Sequence, residues 1–303
     1  MPFPPQRNEA QTTRLAGRIM TDTPTREVGL AGAKPRQART GQQPARSPKP
    51  NSKPRILPAG PPIFTRFQGT GLLGPEDIAS LCESGWRRST VAARQSLSVE
   101  SNFCVLASGL AARYRQTQTE ESHSVSLIIP GDICDYSLIT GTNTHSRLAP
   151  LTGSSLLHLP AEDAVSLFEQ VPNVLAAVLT QLATDQAVTE ELLFSLARRT
   201  ALERAAHLLC ELEFRFRRMG LSTNGRFSLP MTQAEIGKHL GLTSVHVNRT
   251  LQELRRRELV NTQGTNIELP DLSELQRLAG FDPRYLTVSK NRGNGASGEE
   301  RHP

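Results

Sequence analysis

The stretch Leu229–Val260, LPMTQAEIGKHLGLTSVHVNRTLQELRRRELV, decides how the rest of the chain is read. Thr232 followed three residues later by Glu235 is a capping box, which starts a helix and carries Ile236 and Leu240 inward. Gly241 ends that helix. Thr243 caps a second one, in which Val247, Thr250, Leu251 and Leu254 recur at helical spacing and so face a core. Two short helices joined at a glycine turn make a helix-turn-helix, with Gly237 and Gly241 expected where the helices cross closely. The same spacing leaves Ser244, Val245, His246, Asn248, Arg249 and Gln252 on the outer face of the second helix.

If that face enters a major groove, Arg249 can make a bidentate pair with guanine, and Asn248 or Gln252 can pair with adenine. Thr232, at the start of the first helix, is expected on the same surface. The Arg255-Arg256-Arg257 run suits phosphates rather than bases. Leu259-Val260 and Ile267-Glu268-Leu269 flank Gly264 as a small hairpin, so the motif should be winged. An ordinary helical hairpin with a solvated polar face is the competing reading. It leaves unexplained why the caps, the turn glycines, the Arg/Asn/Gln face and the following hairpin occur together. The expected partner is a double-stranded DNA operator.

Charge is unevenly spread along the 303 residues. Met1–Arg55 holds eleven basic against three acidic residues, Ile56–Ala197 seven against fourteen, and Arg198–Leu269 twelve against seven. An acidic middle followed by a basic reading segment suits a sensor joined to a nucleic-acid reader. No apolar run approaches the roughly 20 residues that span a bilayer, and no hydrophobic signal core opens the chain, so a soluble cytoplasmic protein without a membrane partner is expected. Cys82, Cys104, Cys134 and Cys210 are isolated from one another in sequence, which does not suggest a disulfide framework. Buried free thiols are expected at all four.

The quoted stretch, together with ALERAAHLLCELEFRFRRMGL before it and LAGFDPRYL after it, resembles the Crp–Fnr transcription regulators. It is most similar to an alpha-proteobacterial subgroup whose second helix reads VHVNR. The similarity is strong over 199–286 and traceable from about Phe64. It implies an α+β chain: an N-terminal double-stranded β-helix, the cyclic-nucleotide-binding-like β-roll, then a long dimerisation helix and a C-terminal winged helix-turn-helix. The domains expected are a disordered basic tail at 1–62, a β-roll sensor at 63–170, a dimerisation helix at 171–197, the DNA-binding domain at 198–270, and a helix with a frayed tail at 271–303. Family members act as homodimers, and RNA polymerase is a candidate partner.

The pattern along the chain fits that plan. Met1 to about Pro62 is rich in Pro, Gln and Arg and has no apolar periodicity, so it is either a basic arm or an inert extension, with Met20 or a later codon as an alternative start. Gly69-Thr70-Gly71-Leu72-Leu73-Gly74 matches GxGxxG, but it lacks the preceding strand and the acidic residue about 20 positions on that a dinucleotide site requires. It fits better as the approach to a helix over Pro75–Cys82. Short runs at 89–93, 103–107, 110–114, 125–129 and 156–159 are expected strands. Pro160–Gln170 should be a short helix, and Pro172 opens a long one to about Leu196 with a seam at Leu175, Leu179, Leu182, Leu193 and Leu196 and polar positions at Gln186 and Thr189. Another helix should end at Gly220, and 221–227 should be a loop. A last short helix is expected over Asp271–Ala279.

The signal is less legible. Cyclic-nucleotide-binding relatives follow the glycine turn with a Gly-Glu pair for the ribose and carry an Arg-Ser/Thr pair for the phosphate. Here Pro130-Gly131-Asp132 leads into Cys134-Asp135-Tyr136-Ser137, and Arg147 precedes Leu148. Control by cyclic AMP is therefore not expected. Dispersed cysteines argue against an iron–sulfur cluster. Cys134, beside Asp132 and Asp135, is the cysteine to choose if one responds to oxidants. His145 or His158 would be the candidates for haem, although no cofactor is expected and the effector is left open. The alternatives are a cyclic-nucleotide- or redox-responsive regulator, or a non-specific DNA- or partner-binding protein with this fold. An enzyme is not expected, since GxSxG, P-loop, HExxH and paired-cysteine metal motifs are absent from the sequence.

Overall fold

The computed structural model describes residues 62–95, 97, 102–116, 122–141 and 146–288. The expectations for Met1–Ala59 onward to residue 61, for the tail from Asn291 and for His145 lie outside these residues. Pro62, placed with the tail, instead opens helix α1 (Pro62–Gln68), which buries Ile63, Phe64 and Phe67. Helix α2 (Pro75–Glu83) follows, with Pro at its start and the Asp77 carboxylate accepting from Gly74 N at 2.8 Å. The GxGxxG segment thus joins two helices, with no strand before it.

Six strands form the β-roll: β1 (Arg87–Val91), β2 (Asn102–Ser108), β3 (Ala111–Gln116), β4 (Ser122–Ile128), β5 (Arg147–Pro150) and β6 (Ser154–Pro160). They pair as two antiparallel sheets, β1-β6-β2 and β4-β3-β5. β5 was not anticipated: only Leu148 and Pro150 of its four residues are buried, too short an apolar signal to notice. Alternation sends Leu106, Ala111, Ile128, Leu148 and Leu156 into the roll, where they form one apolar cluster. The opposite face of β2, Phe103 and Val105, packs on α1, on helix α4 (Ala161–Gln170) and on helix α5 (Pro172–Arg198). A single turn of helix, α3 (Ser137–Thr140), follows the Pro130-Gly131-Asp132 turn.

The long helix α5 keeps only part of the expected seam free. Leu175 and Leu182 pack against the outer core of the β-roll. Leu179, Leu193 and Leu196 stay exposed, at 48%, 67% and 39%, as do Gln186 and Thr189, with Phe194 beside them at 53%. Of the expected seam, the β-roll takes Leu175 and Leu182 and leaves the rest free.

Helix α6 (Ala201–Arg218) starts at a second capping box, Thr200 with Glu203. Its face of Ala205, Leu208, Leu212 and Phe216 enters the largest core. The segment 221–227 is not a loop but a hairpin of β7 (Ser222–Thr223) and β8 (Arg226–Ser228) turning at Asn224-Gly225, both with positive φ. Asn-Gly is the strongest short hairpin signal there is, and the brevity of the flanking strands hid it. These strands join β10 (Asn266–Glu268) and β9 (Asn261–Gln263) in a sheet ordered β7-β8-β10-β9.

Candidate nucleic-acid interface

Helices α7 (Gln233–Leu240) and α8 (Ser244–Arg256) build the reading head. Thr232 Oγ1 accepts from Glu235 N at 3.2 Å while Glu235 Oε2 accepts from Thr232 N at 2.7 Å, so two helix-end donors are satisfied reciprocally. Gly241 ends α7 at φ +64°, a conformation that strains any L side chain. Its role is therefore conformational, not one of helix crossing. Gly237 supplies the close approach: a Cβ there would run into the carbonyl oxygen of Leu242, inside the turn. Arg204 of α6 donates to Leu240 O at 2.8 Å and so caps α7 from outside. Thr243 Oγ1 accepts from His246 N at 3.2 Å to start α8.

Val247, Thr250 and Leu254 anchor α8 in the core. Ser244, Val245, His246, Arg249 and Gln252 are exposed on the opposite side, with Val245 at 65%. A single exposed valine is ordinary on a protein surface and does not by itself mark a partner. Arg249 has no ion-pair partner among the described residues, so its five donors point into solvent. Asn248 is half-buried and donates to Gln233 Oε1 at 3.2 Å, which ties α8 to the first turn of α7. Sequence reading missed Gln233; its position one residue after the cap was the available signal. Thr232 is exposed beside it.

The arginine run divides. Arg255 donates to Thr262 Oγ1 of the wing at 2.7 Å, whereas Arg256 and Arg257 both pair with Glu253, each at 2.7 Å. Those two guanidiniums hold the Glu253 carboxyl down to about 2, mainly through the Arg256 hydrogen bonds. Such exposed pairs exchange readily for a phosphate, because they are worth little in water. The wing turns at Gly264, with strands at Asn261–Gln263 and Asn266–Glu268 rather than at Leu259-Val260, which are buried ahead of it.

Residues 203–278 match the family model of the Crp-like helix-turn-helix domain. A fumarate and nitrate reduction regulatory protein of Vibrio cholerae is 28% identical over 173 residues, 57% of this chain and 69% of that protein. This chain is a DNA-binding transcriptional regulator that carries a Crp-like helix-turn-helix domain. The transcriptional activator protein anr of Pseudomonas aeruginosa is 27% identical over 173 residues, 57% of the regulator and 70% of the relative. Among solved structures, FixK2 from Bradyrhizobium japonicum superposes with a TM-score of 0.57 at 21% identity, covering 64% of the regulator and 96% of that chain, which supports the β-roll and helix-turn-helix fold.

In the regulator the reading head is fastened to the β-roll by charged groups of α6 that lie outside its apolar face. Arg215, buried, donates to Asp132 Oδ2 at 2.7 Å, to Leu127 O at 3.1 Å and to Glu211 Oε1 at 3.1 Å. Asp132 also pairs with Arg66 of α1 at 3.2 Å. Arg66 donates to Gln181 of α5, and Gln181 to Asp185, whose carboxylate accepts from the Tyr136 hydroxyl at 2.7 Å. One buried polar chain therefore runs from α6 through the glycine turn to the long helix. Ser124 Oγ and His239 Nδ1, 3.2 Å apart, and Lys238 with Ser122 at 3.1 Å join β4 to α7 directly.

The cysteines do not all follow expectation. Cys82 is exposed, not buried, because it lies on the outer side of α2. Cys104, Cys134 and Cys210 are buried. Cys104 and Cys134, thirty residues apart in sequence, are neighbours across a β-bridge. The Cys134 thiol is raised, first by its hydrogen bond to Cys104 and then by burial, with Asp132 contributing least. His158 is held by Ser89 Oγ at 2.6 Å.

Proposed function

We propose that the regulator acts as a homodimer on a pseudo-palindromic operator, α8 of each copy entering a major groove, without a cyclic nucleotide. The observation that carries the reading is the exposed face of α8, with Arg249 unpaired and Val245 uncovered, on a helix fixed at its start, its far end and its core side. Arg249 is assigned to a guanine, Gln252 and Asn248 to neighbouring bases, Ser244 and His246 to the groove edge, and Arg255 and Arg256 to phosphates, with Thr232 approaching the backbone from α7. Val245 suits a thymine methyl. We place the chain in the subgroup whose second helix reads VHVNR, at work in the cytoplasm, with RNA polymerase as a candidate partner. Pairing through α5 is supported by the exposed Leu179, Leu193 and Phe194, an apolar row that a second copy would cover.

Independence from cyclic nucleotides is supported by Tyr136. It stands after the glycine turn, where binding relatives place the Gly-Glu pair, and its buried ring and hydroxyl are committed to Asp185 of α5. Selection of random duplexes by the purified protein at stated salt tests the reading. An enriched inverted repeat is expected, and Arg249→Ala should cost about 1–3 kcal/mol of affinity and relax one base pair per half-site. Uniform weakening across all duplexes would leave only non-specific binding. A tenfold rise in operator affinity on adding cyclic AMP or cyclic GMP would overturn the effector assignment.

A further inference from the structure

We infer that Cys104 and Cys134 form a dithiol site that a hydroperoxide converts reversibly to a disulfide, and that its closure shifts the turn holding the reading head. The geometry begins with the bridge Val105↔Ile133. Leu106 N donates to Asp132 O at 3.0 Å and Cys134 N donates to Cys104 O at 2.7 Å, so Cys104 and Cys134 are directly opposed, one step beyond the bridge. Opposed residues at such a hydrogen-bonded position lie about 5.5 Å apart at Cα, inside the roughly 4.4–6.8 Å that a disulfide spans. Both side chains belong to the apolar cluster inside the β-roll, so they share one face.

A third group completes the site. On the other side of Cys104, β6 places His158 directly across from it, and beyond His158 lies exposed Arg87 of β1. The row His158–Cys104–Cys134 therefore runs from a half-exposed imidazole inward. Hydrogen bonds from the Cys134 thiol, and then from His158, hold the Cys104 thiol below its ordinary range, while Cys134 moves up. The pair thus contains one nucleophile and one thiol that retains its proton.

The chemistry balances. The Cys104 thiolate attacks one oxygen of hydrogen peroxide, the O–O bond breaks, and the departing hydroxide takes up a proton to leave as water. The resulting sulfenic sulfur is attacked by Cys134, which gives up its thiol proton; the S–O bond breaks and a second water leaves. Two thiols lose two electrons and the peroxide gains them. A thioredoxin-class dithiol, or two glutathione thiols that leave as glutathione disulfide, returns them, and transient disulfides of this kind are the ones that occur in a reducing cytoplasm.

Closure has a mechanical consequence. Cys134 O accepts from Arg113 at 2.6 Å, and two residues before Cys134 the carboxylate of Asp132 carries Arg215 and Arg66. Drawing residue 134 toward β2 moves the segment 132–134 against Arg215, the fastening between roll and reading head. The readout through operator affinity rests on the function proposed above; the thiol chemistry does not.

The test treats the reduced, full-length protein with an equivalent of hydrogen peroxide, alkylates the remaining thiols and maps the peptides by mass spectrometry. Free thiols are expected to fall from four to two, with Cys104 linked to Cys134, Cys82 and Cys210 alkylated, and four thiols restored by dithiothreitol. Operator affinity is expected to change at least fivefold with oxidation, and Cys134→Ser, but not Cys82→Ser, should abolish the change. Four free thiols after treatment, a link through Cys82, or a Cys104–Cys134 link that leaves affinity unchanged would overturn the inference. If the reduced protein selects no operator, the proposed function fails, and the peptide map still decides the dithiol.

Discussion

Replacing Arg215 with methionine separates the reading head from the β-roll without emptying the space between them. The guanidinium and the Asp132 carboxylate are almost wholly buried at 2.7 Å. At an effective dielectric of about 20 their attraction is roughly 6 kcal/mol, much of it offset by the desolvation of two ions. Removing one partner of such a pair costs about 3–5 kcal/mol, because the survivor is left charged in a dry site. Here the lower end is expected. Asp132 keeps Arg66 at 3.2 Å and the Ile129 amide at 2.9 Å. Glu211, the other group deserted, has its carboxyl raised by burial and keeps the Tyr285 hydroxyl, which donates to it at 2.9 Å. The assay is urea unfolding with two probes. Trp86, the only tryptophan in the chain, packs on Phe103 with ring centroids 6.0 Å apart and reports the β-roll, while far-UV circular dichroism reports mainly the helices. In Arg215→Met the helical transition should move to lower urea and part from the tryptophan transition, the mark of lost coupling between the two halves. A double-mutant cycle with Asp132→Asn should give an interaction energy above about 1 kcal/mol. Coincident transitions within about 1 kcal/mol of wild type, with the two substitutions additive, would refute the claim that this pair fastens the halves together.

Two further perturbations reach different links of the same structure. Gly237→Ala places a methyl against the Leu242 carbonyl, a backbone atom that cannot swing away, so it should destabilise the helix-turn-helix by about 1–3 kcal/mol and weaken operator binding, whereas Ala234→Gly on the exposed side of α7 should cost about 1 kcal/mol or less; equal effects from both would mean that the turn is not tight. His239 is held neutral, its pKa lowered to about 4 by burial first and by Arg215 second, so the unfolded chain binds the extra proton below about pH 6.5 and stability contributed by the neutral ring is lost as pH falls from there toward 4. By pH 5 the loss is about 2 kcal/mol, and the difference in the slope of stability against pH between wild type and His239→Gln isolates it from carboxylates that titrate in the same window; parallel slopes would count against a buried neutral imidazole.

The two halves of the molecule differ in how much of them the sequence discloses, and the reason is the range of the interactions involved. The reading head was legible because its structure is written in relations three or four residues long. Thr232 with Glu235 and Thr243 with the His246 amide fix where α7 and α8 begin, and the spacing of Val247, Thr250 and Leu254 fixes which way α8 faces. The β-roll was legible as alternating apolar runs, with β5 lost because four residues cannot display a period. The seam on α5 was placed by heptad spacing, and tertiary packing overrode it at two positions: Leu175 and Leu182 satisfy the heptad equally well but are taken by the roll.

What joins the two halves was not legible at all. Along α6 the residues Glu211, Glu213 and Arg215 fall outside the apolar stripe, and any helical pattern assigns them to water; in the structure all three are buried. Arg215 is buried against Asp132, 83 residues away, whereas Glu213 accepts from Ser222 and Glu211 from Tyr285. A buried charge is tolerated only where its counter-charge is also buried, so neither member of such a pair can be recognised by itself. The same holds for Cys104 and Cys134, each of which reads singly as an inert core thiol. A regulator needs local rules to build a reading head and non-local ones to make that head answer to another domain. The long-range charged and thiol pairs are therefore the first places to perturb when the question is what the β-roll senses, and substitutions in α8 are the first when the question is which operator is read.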